Sequence, residues 1–257
     1  IDIRAASDFS AGHIANAHNV ALADIVTHVK GVDLSSYTKV AIVCYSGQSA
    51  GYATSILRVL GYDKVFSMKW GMCSWNSHFA NSWNNAIANG NTYASQFVST
   101  ATAKDPKGEL PVLSTGETTG ELILDSRVDN VLTAGFGDAK ITSATVFGDL
   151  DNYYIVNYWK EDHYTNPGHI PGAMQYTPKQ SIALATDLTT LPTDKTIVVY
   201  CYTGQTSANM AAYLRILGYD AKTLLFGCNG MIYDLLGTSG AGHQFTEAAI
   251  FNYDYVE

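Results

Sequence analysis

Basic side chains are scarce: 15 Lys and Arg stand against 23 Asp and Glu, a formal net charge of -8 over 257 residues. Nucleic acid and anionic membrane surfaces bind clustered positive charge, so neither is expected as a partner. Cysteine is scarce too. Four thiols are too few for a disulfide scaffold, and no two stand close enough for a CxxC metal or redox motif. No apolar run approaches the ~18 residues of a membrane span. Metal clusters and dinucleotide-binding glycine patterns are missing, so no cofactor is expected. Charged residues of both signs make up only 15% of the chain, while Asn, Ser, Thr and Tyr abound. That balance points to a periplasmic or otherwise exported protein, with a cytoplasmic one as the alternative. Ile1-Asp2-Ile3-Arg4 reads as the inside of a strand with neither an initiator Met nor a signal peptide before it, so a lost N-terminal piece is expected.

What the chain does have is one stretch written twice. Val40-Ala41-Ile42-Val43 runs into Cys44-Tyr45-Ser46-Gly47-Gln48-Ser49, and Ile197-Val198-Val199-Tyr200 runs into Cys201-Tyr202-Thr203-Gly204-Gln205-Thr206. Each is a β-branched run that delivers a thiol to a small polar loop and then to a helical pattern. Loops at the carboxyl end of a strand, opening a helix, are where open α/β sheets hold anions. Other landmarks repeat in register: Gly12 and Gly168 are 156 residues apart, and Cys44 and Cys201 are 157 apart, as are Leu60 and Leu217. The chain is therefore a duplicated domain, each copy a mainly parallel sheet with helices on both faces.

In order, the pattern predicts a helix over 21–29, the strand into Cys44, a helix stopped by Gly61, a strand over 64–68, and an aromatic helical stretch holding Phe79, Trp83 and Ile87. The Trp stripe reads as core on the interdomain side. Residues 89–119 have the Asn, Gly, Ser, Thr and Pro content of a linker. The expected division is thus a first domain over 1–88, a linker over 89–119 and a second domain over 120–257. The second is expected to open with a strand around Leu122 to Leu124, a helical stretch from Val128 to Phe136 and a strand around Tyr154 to Val156.

The combination of Asp2-x-Arg4, Gly12-His13-Ile14-x-x-Ala17, a strand into Cys44 with a glycine-containing loop, and Gly71-Met72-x-x-Trp75 resembles a rhodanese domain. Since the second half repeats the order, the whole chain resembles a tandem rhodanese sulfurtransferase. The resemblance implies thiolate attack on the outer sulfur of a small anionic donor such as thiosulfate, release of sulfite, and a cysteine persulfide collected by cyanide or a thiol. Such covalent capture runs with ping-pong kinetics. Many tandem members of the family are active only in the C-terminal domain, which favours Cys201. The Asp2-x-Arg4 pair braces the fold in the family. The second half reads Val156-Asn157-Tyr158-Trp159 there, and Asp125-Ser126-Arg127 lies too early to be its counterpart.

The residues by themselves point to a thiolate or persulfide cradled beside one small anion. A free thiol has a pKa near ~8.5 and ionises more readily at a helix N-terminus or beside a cation. Gly47 and Gly204 let each loop curl, and the Ser and Thr hydroxyls add donors. Cysteine phosphatases need an Arg six positions after the Cys to grip phosphate, whereas those positions hold Ala50 and Ser207. The loops are uncharged, and Lys69, before Trp70-Gly71, is the candidate cation for Cys44, which weighs for Cys44 against Cys201 and leaves both as candidate nucleophiles. Aligned on Gly230-Met231, Cys228 takes the place of Lys69 and is the candidate partner thiol for Cys201. Cys73 reads as core, and His13 and His169 as turn hydrogen-bonders. The neutral loops leave a rival reading open: a carrier that holds a persulfide or an anion for a partner protein without turnover.

Overall fold

The computed structural model describes residues 1–257. In the first half, helix α1 (Ile25–Lys30) precedes β1 (Val40–Ile42), and α2 (Gln48–Val59) leads to β2 (Val65–Ser67), parallel to β1 with Val40 opposite Val65. Ile1 to Ile3 runs along the other side of β1: Ile3 N–H donates to Val43 O and Val43 N–H to Ile1 O, both at 2.8 Å. Asp2 in turn bridges to Asn19. The aromatic stretch is α3 (Asn81–Ala88).

The expected strand at Leu122 to Leu124 is instead inside α4 (Gly120–Asp138). Three apolar residues in a row fit either element. The decision is made by Thr119, whose side chain caps the helix by accepting from Leu122 N–H at 3.3 Å, and by burial of Val128, Val131 and Leu132 at helical spacing. That face packs with Ile25, Val29 and Tyr52, in the core of the first half. Arg127 of α4 donates to the Ile216 and Arg215 carbonyls at 3.0 and 2.6 Å, satisfying the last turn of another helix.

The second half holds β3 (Lys140–Ile141), β4 (Tyr153–Asn157), β5 (Met174–Gln175), β6 (Thr196–Tyr200) and β7 (Ala221–Leu224), all parallel in the order β3-β7-β6-β4-β5. Helix α5 (Gln205–Ile216) follows β6 as α2 follows β1. Ile197 to Tyr200 are all buried, as a strand covered on both faces requires.

In the first half, Arg4 pairs with Asp2 at 2.7 Å and donates to Gly12 O at 2.7 Å, holding the Gly-His turn. The second half holds its turn with Tyr200 instead: the phenol oxygen accepts from Asn157 Nδ2 at 2.7 Å and from Ile170 N–H at 3.2 Å. His13 and His169 each bond a carbonyl through Nδ1, Phe9 O at 2.9 Å and Tyr164 O at 2.7 Å.

Two features bind the halves together. Helices α2 and α5 lie against each other through small residues, Ala50 and Ala53 sharing a core with Ala208 and Ala212. The tails are also exchanged. Val98 exchanges backbone hydrogen bonds with His169, and Lys104 pairs with Asp187 at 2.6 Å, so the segment following the first half lies on the second. Val256 exchanges backbone bonds with His13, and Trp75 Nε1 donates to Asp254 O, so the segment following the second half lies on the first. Trp83, fully buried, stacks on Phe245 and meets Phe226 edge-on. No helix is long and apolar enough to cross a membrane.

Candidate active site

Both cysteines end a strand at the first turn of a twelve-residue helix. Gly47 (φ 82°) and Gly204 (φ 74°) adopt the left-handed conformation that starts each helix. The Gly47 and Ala50 N–H groups donate to Cys44 Sγ at 3.1 and 3.3 Å. In the second loop, Ser207 N–H donates to Cys201 Sγ at 3.4 Å, with Ser207 Oγ at 3.6 Å and Thr203 Oγ1 at 4.0 Å. Such N–H groups and the helix dipole stabilise negative charge on sulfur. The two positions that lack a phosphatase arginine, Ala50 and Ser207, thus serve the sulfur through their backbone.

Behind each loop a second turn packs on the cysteine carbonyl. Trp70 and Gly71 have φ of 65° and 61°, and Phe226 and Gly227 have 60° and 52°. A Cβ at Gly71 would lie 2.3 Å from Cys44 O, and one at Gly227 2.2 Å from Cys201 O, so only glycine fits. Met72 N–H donates to Cys44 O at 2.8 Å and Cys228 N–H to Cys201 O at 3.0 Å. These equivalences correct the register read from the sequence. The counterpart of Gly71-Met72 is Gly227-Cys228, not Gly230-Met231, so Leu225 takes the place of Lys69 and Cys228 that of Met72. The Gly-Met match misled because the turn is defined by close backbone approach, which Gly227 makes.

Lys69 itself is exposed, its ammonium 5.0 Å from the Trp70 ring centroid. It is not in the wall of the pocket that opens on Cys44. That pocket, of about 330 Å³, is lined by Arg4, Asp8, Tyr45, Ser46, Gln48 and Ser49 from the first half, and by Phe136, Lys140 and Phe226 from beyond it. Arg4 lies 5.0 Å from the Tyr45 ring centroid, and its Nη1 is buried without a partner. Burial raises the Tyr45 pKa. Lys140 and Phe136 were missed from the sequence because they lie about a hundred residues away in another element.

Around Cys201 the environment differs. Tyr202 stacks on His243 at 4.3 Å and its hydroxyl meets His163 Nδ1, while burial pushes its phenol up to about 12. Thr203 Oγ1 accepts from Gln205 N–H at 3.3 Å, and Thr206 is exposed on the first turn of α5. Cys228 is fully buried beside Tyr200 and Met231. All four cysteines are free thiols.

The side-chain oxygens of Gln48 and Gln205 reach across to the opposite half. Gln48 Oε1 accepts from Phe226 N–H at 2.7 Å, and Gln205 Oε1 accepts from Trp70 N–H at 2.9 Å.

Burial pushes the Cys73 thiol up to about 11 and the Cys228 thiol well above its usual range. Alkylation by iodoacetamide at about pH 8 is therefore expected to spare both while Cys44 reacts. Raising the pH toward 11 should recruit Cys73; mass spectrometry showing Cys73 or Cys228 modified as fast as Cys44 at the lower pH would contradict this.

The fold and the loops together define a tandem α/β protein with a thiol at the carboxyl end of a central strand in each half. The family profile described as "Rhodanese-like domain" matches residues 1–78 and 148–231. The chain belongs to the rhodanese-like family, in two domains. It is similar to the thiosulfate sulfurtransferase GlpE of Pseudomonas putida strain GB-1, 33% identical over 79 residues that make 31% of this chain and 70% of that one. The GlpE of Pseudomonas fluorescens strain SBW25 is 30% identical over 79 residues, 31% of this chain and 71% of that one. A crystal structure of a probable thiosulfate sulfurtransferase matches with a TM-score of 0.34 at 17% identity, covering 92% of this chain and 93% of that one.

Proposed function

We propose that the protein moves a sulfane sulfur from a small anionic donor, thiosulfate being the first choice, to a thiol or cyanide, with Cys44 as the principal nucleophile and Cys201 as the second. The observation that carries this is the pocket opening on Cys44 with the Arg4 and Lys140 side chains in its wall. Lys140 and the unpartnered Nη1 of Arg4 offer donors to an anion next to a sulfur already served by two N–H donors. Asp2 pairs with Arg4 and Asp8 shares the wall, so the pocket selects a small anion by hydrogen bonding more than by net charge. Lys69 is not in that wall.

In the first half-reaction the Cys44 thiolate attacks the outer sulfur of thiosulfate. The new S–S bond forms as the old one breaks, and the bonding pair leaves on sulfite. The terminal persulfide sulfur then carries the negative charge, which the loop N–H groups hold. In the second half-reaction an acceptor thiolate or cyanide attacks that sulfur, and the pair returns to Cys44. No net oxidation of the protein occurs, and the two half-reactions make the kinetics ping-pong.

Incubation with thiosulfate, followed by mass analysis of the peptides carrying Cys44 and Cys201, is expected to show one added sulfur on Cys44. Sulfur on Cys44 that no thiol or cyanide removes would favour the persulfide-carrier reading. No added sulfur from thiosulfate or 3-mercaptopyruvate, and no sulfite released, would end the transferase reading.

A further inference from the structure

We infer that the two cysteine loops are wired crosswise: Gln205, the first residue of the Cys201 helix, is a positioning residue for Cys44, and Gln48, the first residue of the Cys44 helix, is one for Cys201. The inference deepens the transferase reading and rests on Cys44 and Cys201 being its nucleophiles.

Each cysteine loop is shaped from behind by a turn whose two residues both have positive φ, Trp70-Gly71 behind Cys44 and Phe226-Gly227 behind Cys201. A bulky residue in that conformation is strained and persists only where neighbours hold it. In both turns the N–H of the strained aromatic residue is held by the glutamine of the opposite domain, Trp70 by Gln205 and Phe226 by Gln48. The same amide oxygens seat against the opposite glycine. A Cβ at Gly47 would lie 2.5 Å from Gln205 Oε1, and one at Gly204 2.3 Å from Gln48 Oε1. Gly47 N–H is one of the two donors to Cys44 Sγ. Gln205 therefore touches the loop at the residue that serves the sulfur and also pins the turn on which the Cys44 carbonyl rests.

The arrangement is reciprocal, with Gln48 buried and Gln205 half-buried. Gln48 is 2% exposed, and its Nε2 donates to Ser46 Oγ at 3.0 Å, tying its own loop to the lock. Asn209, one turn along α5, donates to Gly51 O at 3.3 Å, so the helices that carry the glutamines are fixed to each other. Withdrawing either acceptor leaves a half-buried N–H without its partner in the strained turn, and the loop it backs is expected to lose its donor geometry.

The test uses the full chain with Gln205→Met and Gln48→Met, which keep length and volume but remove the acceptor. The rate of iodoacetamide alkylation is read separately on the Cys44 and Cys201 peptides. Gln205→Met is expected to slow Cys44 by about five-fold or more while Cys201, on its own helix, stays within about two-fold. Gln48→Met is expected to slow Cys201 by a similar factor. Gln205→Glu, which still offers an oxygen to Trp70 N–H but adds a negative charge beside the loop, should recover part of the Cys44 rate. If Gln205→Met fails to fold, as judged by near-ultraviolet circular dichroism, Gln205→Asn withdraws the acceptor by one methylene and is read in the same way. An effect confined to the same-domain cysteine, equal effects on both, acceleration of Cys44, or no effect would each overturn the inference. Alkylation needs no sulfur donor, so the two readings separate. A crossed pattern without sulfur uptake keeps the wiring and removes the transferase, and sulfur uptake with an uncrossed pattern does the reverse.

Discussion

Cys44→Ser is expected to lower thiosulfate-dependent sulfur transfer by on the order of a thousandfold or more, while Cys201→Ser keeps transfer within about tenfold of the parent. A serine hydroxyl stays protonated at neutral pH and forms no persulfide, so the covalent route through that loop closes completely. The asymmetry follows from the surroundings. Cys44 borders the pocket with Arg4 and Lys140, whereas Cys201 Sγ is packed with Ser207 and Thr203 beside a stacked Tyr202. Steady-state transfer to cyanide, measured as thiocyanate, checks both variants. A larger loss from Cys201→Ser would reassign the principal nucleophile.

Gly71→Ala is expected to cost about 3 kcal/mol or more of stability and to dull Cys44 in the same stroke. With φ 61° and ψ −152°, this residue sits in a region open to glycine alone. An added methyl would also lie 2.3 Å from Cys44 O, 2.4 Å from Tyr45 O and 2.6 Å from Gly47 N, all backbone atoms that cannot swing away. For a chain of this size the cost corresponds to a fall in Tm of about 6–12 °C. Gly61→Ala is the control. Its φ of 95° is also positive, but nothing lies within 4 Å of the added Cβ, so only the local penalty of ~1–2 kcal/mol applies. Thermal melts that rank the two alike would show that close packing on the cysteine carbonyl adds nothing.

The cysteine loops were legible because their signals are local. Val40 to Val43 and Ile197 to Tyr200 are apolar runs rich in β-branched residues, and Gly47 and Gly204 start the helices that follow. Leu122 to Leu124 was misread because a short apolar run does not distinguish strand from helix until its burial is known. The register of Cys228 was lost for a different reason. Residue identity favoured Gly230-Met231, while the geometry of a glycine against a carbonyl selects Gly227. Gln48 and Gln205 read as loop polar residues facing a ligand, because their partners are backbone N–H groups of Phe226 and Trp70, which leave no trace in side-chain pattern. Lys140 escaped likewise, since only the sheet order β3-β7 and the packing of the halves bring it to the Cys44 pocket. Residues 89–119 have a linker's composition, yet Val98 and Lys104 hold the second domain through bonds that composition does not encode.

The exchanged tails and crossed glutamines also set an order in time. On the ribosome Cys44 and its helix emerge long before Gln205, and before the 245–256 segment that covers Trp70, Trp83 and His13. At roughly 5–20 residues per second the delay between Gln48 and Gln205 is about 8–30 s. Through that interval the nascent first domain holds a thiol whose backing turn has no lock. Under the proposed wiring, competence at Cys44 is expected only late, when the second half of the chain closes over the first.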